Sequence, residues 1–244
     1  MSLGSVSGVT RLEVHSGHRS VSGGLARAAV FGVNDGLVSN VSLILGFAAS
    51  GVDSSVVRLA GLAGAVAGAI SMAAGEWISI TAQNELVERE VELEHRELVG
   101  NAEAETMELA GMYEDHGMTS ETARQAAEEV MREPARAVTV HAREEMGIDP
   151  DDLPRPGGAA VVSLGCFLLG ALLPVLPWLG NATGTAPALL SLAIGVVAAA
   201  VVGALIGRFA ERSIPLAMLR QVVIVLVACG VTYAIGQLVD VNLA

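Results

Sequence analysis

Residues able to hold a cation recur at helical spacing through the middle of this chain. Glu85, Glu88 and Glu92 form one stripe and Glu90, Glu94 and Glu97 another, followed by Glu105 and Glu108 and then Glu144 and Glu145. Side chains three or four positions apart share a helix face. Each like-charged pair therefore costs roughly 0.2–0.5 kcal/mol when exposed, and a bound divalent ion reverses that sign. His116 and His141 lie in the same stretch, as do Met107, Met112, Met131 and Met146. Imidazole and thioether groups suit transition metals better than Ca²⁺ or Mg²⁺. Glu92-x-x-His95 is a single copy of the pairing that helical di-iron sites use. The competing reading is a solvated acidic surface, with the methionines as core filler.

The surroundings give these carboxylates their meaning. Of the 26 acidic residues, 21 fall between Glu76 and Asp152, where only six arginines accompany them. The remainder of the 244-residue chain is apolar: 52% of all residues are hydrophobic and 16% charged, against about 25% charged in soluble domains. Mean hydropathy is +0.56. These values point to a membrane protein with an acidic insert. A net charge of −12 argues against a nucleic-acid partner, which needs a basic footprint. Cys166 and Cys229 sit inside apolar runs without metal-like spacing and read as small packed hydrophobes.

Five segments reach the roughly 20 apolar residues that a bilayer crossing needs: 26–50, 56–79, 158–179, 186–208 and 214–239. With only weak strand-like alternation and too few segments for a barrel, they are expected to be helices. The N-terminal stretch carries His15 and His18, reads as a mobile tail and lacks the apolar core of a signal peptide. The expected organisation is a flexible tail (1–25), spans 1 and 2 (26–80), an acidic helical metal-binding domain (81–150) and spans 3 to 5 (151–244).

From Glu76 to Val99 there is neither Gly nor Pro, so span 2 is expected to continue as one rod beyond the membrane. Gly100-Asn101 then stops it. A second insert helix should cover about 103–116, a third should start with Thr119 or Ser120 as N-cap, and a fourth should carry Pro134 in its first turn and end near Met146. Arg11, Arg19, Arg27, Arg155, Arg208, Arg212 and Arg220 fall at one end of the spans, with Arg58 the dissenter. The positive-inside rule then puts the N-terminus and the insert in the cytoplasm, with a bacterial plasma membrane the default over a vacuole.

Within the spans, Asp35 stands out. An ionisable group inside a membrane segment is costly and usually marks an ion or proton path. Gly32 and Gly36 form a close-approach face beside it. In span 2, Met72 and Glu76 lie four apart on one face, and Gly61, Gly64 and Gly68 form a stripe of small residues.

Together, Phe31-Gly32-Val33-Asn34-Asp35-Gly36-Leu37, the run from Gly61 through Ser71-Met72 to Gly75, and the Glu-rich insert resemble the vacuolar iron transporter family, which moves Fe²⁺ and often Mn²⁺ out of the cytosol. The resemblance runs in order through nearly the whole chain after residue 25. It implies a homodimer of five-span protomers, a helical metal-binding domain joined to span 2, and proton-coupled export. It puts Asp35 and Met72 on the translocation path and maps the insert's metal ligands onto Glu94, Glu97, Glu105, Glu108 and Glu145. Two positions depart from the family's pattern. A Glu eight residues before the span-2 methionine is Gly64 here, with Glu76 a candidate substitute, and a methionine pair near the end of the insert is His141-Ala142, where His141 offers nitrogen.

The resulting expectation is an all-α membrane protein that exports Fe²⁺, or Mn²⁺, in exchange for protons, holds no permanent cofactor and is not an enzyme. Asp35, Met72 and Glu76 line the path; Glu94, Glu97, Glu105, Glu108, Glu145 and His141 gather the metal. Two other readings compete: a membrane-anchored ferritin-like di-iron oxidase, and a metal-sensing membrane protein that transports nothing.

Overall fold

The computed structural model describes residues 24–180 and 184–239. The tail with His15 and His18, the centre of the 180–185 turn and Asp240 lie outside the described residues. Among those described there are eight α-helices and no strand: α1 (Gly24–Ala49), α2 (Ser54–Gly100), α3 (Ala102–Asp115), α4 (Ser120–Val130), α5 (Pro134–Met146), α6 (Pro156–Leu172), α7 (Ala186–Phe209) and α8 (Ile214–Val239). A 3₁₀ helix, Leu173–Trp178, continues α6. Five helical segments, α1, α2, α6 with its 3₁₀ extension, α7 and α8, are long and apolar enough to cross a membrane.

Helix α2 has 47 residues, which at 1.5 Å per residue is roughly 70 Å. That is more than twice the ~30 Å hydrocarbon core of a bilayer. Its first half packs among the spans and its second half belongs to the insert, as the absence of Gly and Pro between Glu76 and Val99 predicts. The third span is not one continuous α-helix as expected. Pro174 and Pro177 lack the N–H that an α-helix needs, and the chain tightens into the 3₁₀ segment. Ser191 on α7 steadies this piece: its Oγ donates to the Pro174 carbonyl at 2.6 Å and accepts from Trp178 Nε1 at 2.9 Å.

Helix α1 is the hub, packed against α2, α6, α7 and α8. Leu37, Val41 and Leu45 on α1 meet Ala199, Val225 and Cys229, while Ile44 meets Val57, Val175 and Trp178. Against α6 the approach is backbone to backbone. A Cβ on Gly36 would run into the Phe167 carbonyl, and one on Gly170 into the Val33 carbonyl. Two facing glycines make this contact possible from both sides.

The insert closes around its own apolar core. Leu98, Leu109, Ala110, Ala123, Ala127, Val130 and Ala137 cluster there, with Tyr113 and Met131 packed alongside. Local signals set its boundaries. Thr119 caps α4 by accepting from the Thr122 amide, Pro134 occupies the first turn of α5, and Gly147 ends α5 with φ 65°. Asn84 Nδ2 donates to the Pro154 carbonyl at 3.0 Å and ties the returning linker to α2.

The glycine contact makes a prediction. Gly36→Ala forces the α1 and α6 backbones apart and should lower the melting temperature of the detergent-purified protein, with a cost of about 1–3 kcal/mol for overpacking. Gly165→Ala, whose added methyl meets open space, should leave the melting temperature unchanged; equal effects of the two substitutions would contradict the contact.

Candidate metal centre

Three helices of the insert direct acidic faces towards one another. Glu90, Glu94 and Glu97 share a face of α2, Glu105 and Glu108 a face of α3, and His141 and Glu145 a face of α5. Helix α4 contributes apolar residues to the core behind them. At the centre, His141 is fully buried and Glu94 is 4% exposed. His141 Nδ1 lies 3.0 Å from Glu94 Oε1 and 3.9 Å from Glu105 Oε2. The ligand atoms of Glu94, Glu105 and His141 all fall within 4.8 Å of one another.

These groups are close without satisfying one another. Glu94 Oε1 and both ring nitrogens of His141 are buried with no hydrogen-bond partner among the described residues. Buried polar atoms are nearly always paired, and leaving one unpaired costs about 1–3 kcal/mol. One His141 nitrogen and the carboxylate oxygens of Glu94 and Glu105 lie close enough together to serve as ligands of a single cation. Beside them Glu90, Glu94, Glu97, Glu145 and Met146 line a cavity of about 340 Å³, which adds further oxygens and a thioether sulfur.

Crowding also shifts proton affinities. Burial, with the neighbouring Glu145, Glu105 and Glu97 charges, raises the Glu94 carboxyl to about 7. Burial raises Glu105 as well, reinforced by Glu108, Glu97 and Glu145. Glu145 is pushed upward chiefly by burial and by Glu108. Burial lowers His141, partly opposed by Glu108, so its neutral ring is favoured and its lone pair is available to a metal. All six insert residues singled out by sequence are thus electrostatically coupled, although Glu97, Glu108 and Glu145 remain solvent-exposed at the rim.

The other acidic stripe does something else. Glu92 is exposed and lies 3.8 Å from Arg96, and His95 is exposed on the same outer side of α2. The Glu-x-x-His pair therefore faces away from the cluster, and the di-iron oxidase reading loses the motif it rested on. His116 is 3.5 Å from Glu144 at the surface.

A second polar site lies between the spans. Asp35, Ser39, Asn40 and Leu43 on α1 face Gly64, Gly68, Ser71 and Met72 on α2, with Phe167 of α6 at one side, around a cavity of about 290 Å³. Asp35 and Met72 share this cavity, and Ser39 Oγ donates to Asp35 Oδ1 at 2.9 Å. Glu76 lies outside it and instead accepts from Arg27 at 2.9 Å. Sequence reasoning passed over Ser39 and Asn40. Ser39, four residues after Asp35, has the spacing that keeps it on the same helix face, whereas Asn40, five residues after, carries no such signal.

The raised Glu94 carboxyl makes metal binding by the insert pH-dependent. A cation must displace its proton below about pH 7, so affinity should rise with pH up to that value and level off above it. For one displaced proton the slope below pH 7 is about tenfold per pH unit. Isothermal titration of the full chain with Mn²⁺ from pH 5.5 to 8.5 measures this. Glu94→Gln should weaken binding and remove the break near pH 7.

A sequence model described as VIT family matches residues 26–237. Among curated relatives, a vacuolar iron transporter of Acanthamoeba castellanii is 37% identical over 161 residues, covering 65% of this chain and 58% of that protein. Vacuolar iron transporter 1 of Oryza sativa subsp. japonica is 26% identical over 226 residues, covering 93% and 90% of the two chains. Vacuolar iron transporter homolog 1 of Arabidopsis thaliana is 48% identical over a shorter stretch, 33% of this chain and 39% of its own. The family match takes in all five membrane-length helices and the insert between the second and third, and this multi-pass membrane protein belongs to the VIT family.

Proposed function

We propose that this protein exports a divalent transition metal, Fe²⁺ with Mn²⁺ as a second cargo, from the cytosol across a membrane in exchange for protons. Metal transport is supported by the family and by relatives named as vacuolar iron transporters. The observation that carries the reading is the continuity of α2, which holds Glu94 near its C-terminal end and Met72 in its membrane-spanning half. These residues are 22 positions apart, or roughly 33 Å along the axis. One rigid element thus links a capture site to an intramembrane cavity.

The insert gathers the ion. Its clustered carboxylates raise the local cation concentration, and His141 with the Met146 sulfur favours a transition metal over Ca²⁺ or Mg²⁺. The ion then enters the cavity, where Asp35 gives an anionic oxygen and Met72 a soft sulfur. Asp35 cannot hold the proton and the metal on the same oxygens at once, so metal entry releases the proton and metal exit takes one up. That exclusion couples the two fluxes.

The path runs between two protomers. Ala63, Ala67 and Ser71 form an exposed stripe of small residues on α2 next to the cavity-lining Gly64 and Gly68, a face that a second copy can approach closely. A cytoplasmic insert and N-terminus are supported by the arginines bordering α1, α6, α7 and α8, which fall at the end from which the insert emerges, as the positive-inside rule asks. A bacterial plasma membrane is the membrane we assign.

Flux into sealed proteoliposomes carrying a pH gradient tests the proposal. The full chain should accumulate Fe²⁺ and Mn²⁺ with a matching proton counterflow. Asp35→Asn should reduce both by about 10- to 100-fold, at least the loss seen when groups supporting a metal ligand are changed. Metal binding by the insert without any flux would favour a sensor and overturn the exporter.

A further inference from the structure

The intramembrane cavity contains a polar atom that the exporter as described does not use. Asn40 on α1 is 3% exposed. Its amide nitrogen donates twice, to the Gly61 carbonyl of α2 at 3.0 Å and to the Ala171 carbonyl of α6 at 2.6 Å. Two carbonyl acceptors fix which end of the amide is nitrogen, because a carbonyl cannot donate. The orientation of the oxygen follows from that. Asn40 Oδ1 is buried, has no hydrogen-bond partner among the described residues, and belongs to a residue lining the same cavity as Asp35 and Met72.

Across from it stands Gly64. A Cβ built on Gly64 would lie 3.0 Å from Asn40 Oδ1, so the absence of a side chain there is what leaves space in front of the amide oxygen. A buried carbonyl-type oxygen, rigidly held by three helices and facing a glycine, is arranged as a cation ligand. Asn34 Oδ1 is also buried and unpartnered, but Asn34 does not line the cavity.

We infer that Asn40 supplies a third ligand, an uncharged oxygen, to the divalent ion in the cavity, alongside Asp35 and Met72, and that Gly64 keeps this oxygen accessible. The inference rests on the transport reading for its purpose, and it sharpens the predicted selectivity. One carboxylate and one amide oxygen together favour Mn²⁺ and Fe²⁺, whereas the lone thioether favours softer ions. A neutral ligand also adds binding without adding a second group that must be discharged by a proton.

The test separates the ligand from the transporter. In full-length protein in detergent, with the insert silenced by Glu94→Ala and His141→Ala, Mn²⁺ and Cd²⁺ dissociation constants are measured with and without Gly64→Ala. The added methyl leaves both Asn40 hydrogen bonds in place and obstructs only Oδ1. It should raise the Mn²⁺ constant by about tenfold, the loss of one good ligand, and the Cd²⁺ constant by less than about threefold, since the sulfur is untouched. Asn40→Leu should show the same contrast; if that variant does not fold, Gly64→Ala decides alone. Equal changes for the two ions, no change, or no Mn²⁺ binding in the silenced protein would overturn the assignment. The same proteins are then assayed for flux in proteoliposomes. Contrasting affinities without any flux would sink the exporter and leave Asn40 as a ligand, while flux without the contrast would do the reverse.

Discussion

The intramembrane site depends on how closely two backbones approach. Helices α1 and α6 touch at Gly36 and Gly170, where no side chain separates them. Only at that separation can the short Asn40 side chain reach the Ala171 carbonyl while also holding the Gly61 carbonyl of α2. One amide then ties three helices together in surroundings where such bonds have little competition from water. Phe167 extends from the same part of α6 over Gly68 of α2, so closely that any Cβ there would overlap the ring. The cavity containing Asp35 and Met72 is the space left beside these contacts, and its shape follows from glycine positions as much as from its polar lining.

The insert solves a different problem. Its acidic residues repel one another in the absence of metal, yet the domain brings them together because Leu98, Leu109, Ala123, Ala127 and Ala137 bury a common apolar core next to them. The hydrophobic contribution, about 25 cal/mol per Å² of apolar area removed from water, holds the helices at spacings the carboxylates alone would resist. The remaining strain appears as a Glu94 carboxyl shifted to about 7 and a buried, unpartnered His141. A divalent ion entering this site would have to displace the Glu94 proton near neutral pH.

Helix α2 joins the two sites mechanically. One uninterrupted helix carries both Glu94 of the insert and Gly64, Gly68 and Met72 of the cavity wall. The Arg27–Glu76 pair, 2.9 Å apart, sits between the two sites and fastens α2 to the start of α1. That role accounts for Glu76 more directly than a place on the ion path. Glu76 keeps a compensated charge near the end of the spans, while the cavity itself retains a single carboxylate.

Local features were legible in the sequence because their causes are local. The length of α2 follows from a stretch free of Gly and Pro, the start of α4 from Thr119, the first turn of α5 from Pro134, and the five spans from apolar run length. Even the break at Pro174 and Pro177 was written in the chain, although the hydrophobic run hid it. The pairing of elements was not legible. Sequence spacing gave Glu92 with His95 and Glu90 with Glu94 equal standing as helix faces. Only packing turned one face to solvent and the other towards His141, nearly fifty residues away. Likewise Met72 and Glu76 share a face by period, yet Arg27 draws Glu76 out of the cavity, and Asn40 gains its meaning from carbonyls on two other helices. Periodicity specifies which residues of a helix lie together; the neighbour they meet is decided by how closely the backbones can approach, and that is a property of the assembled fold.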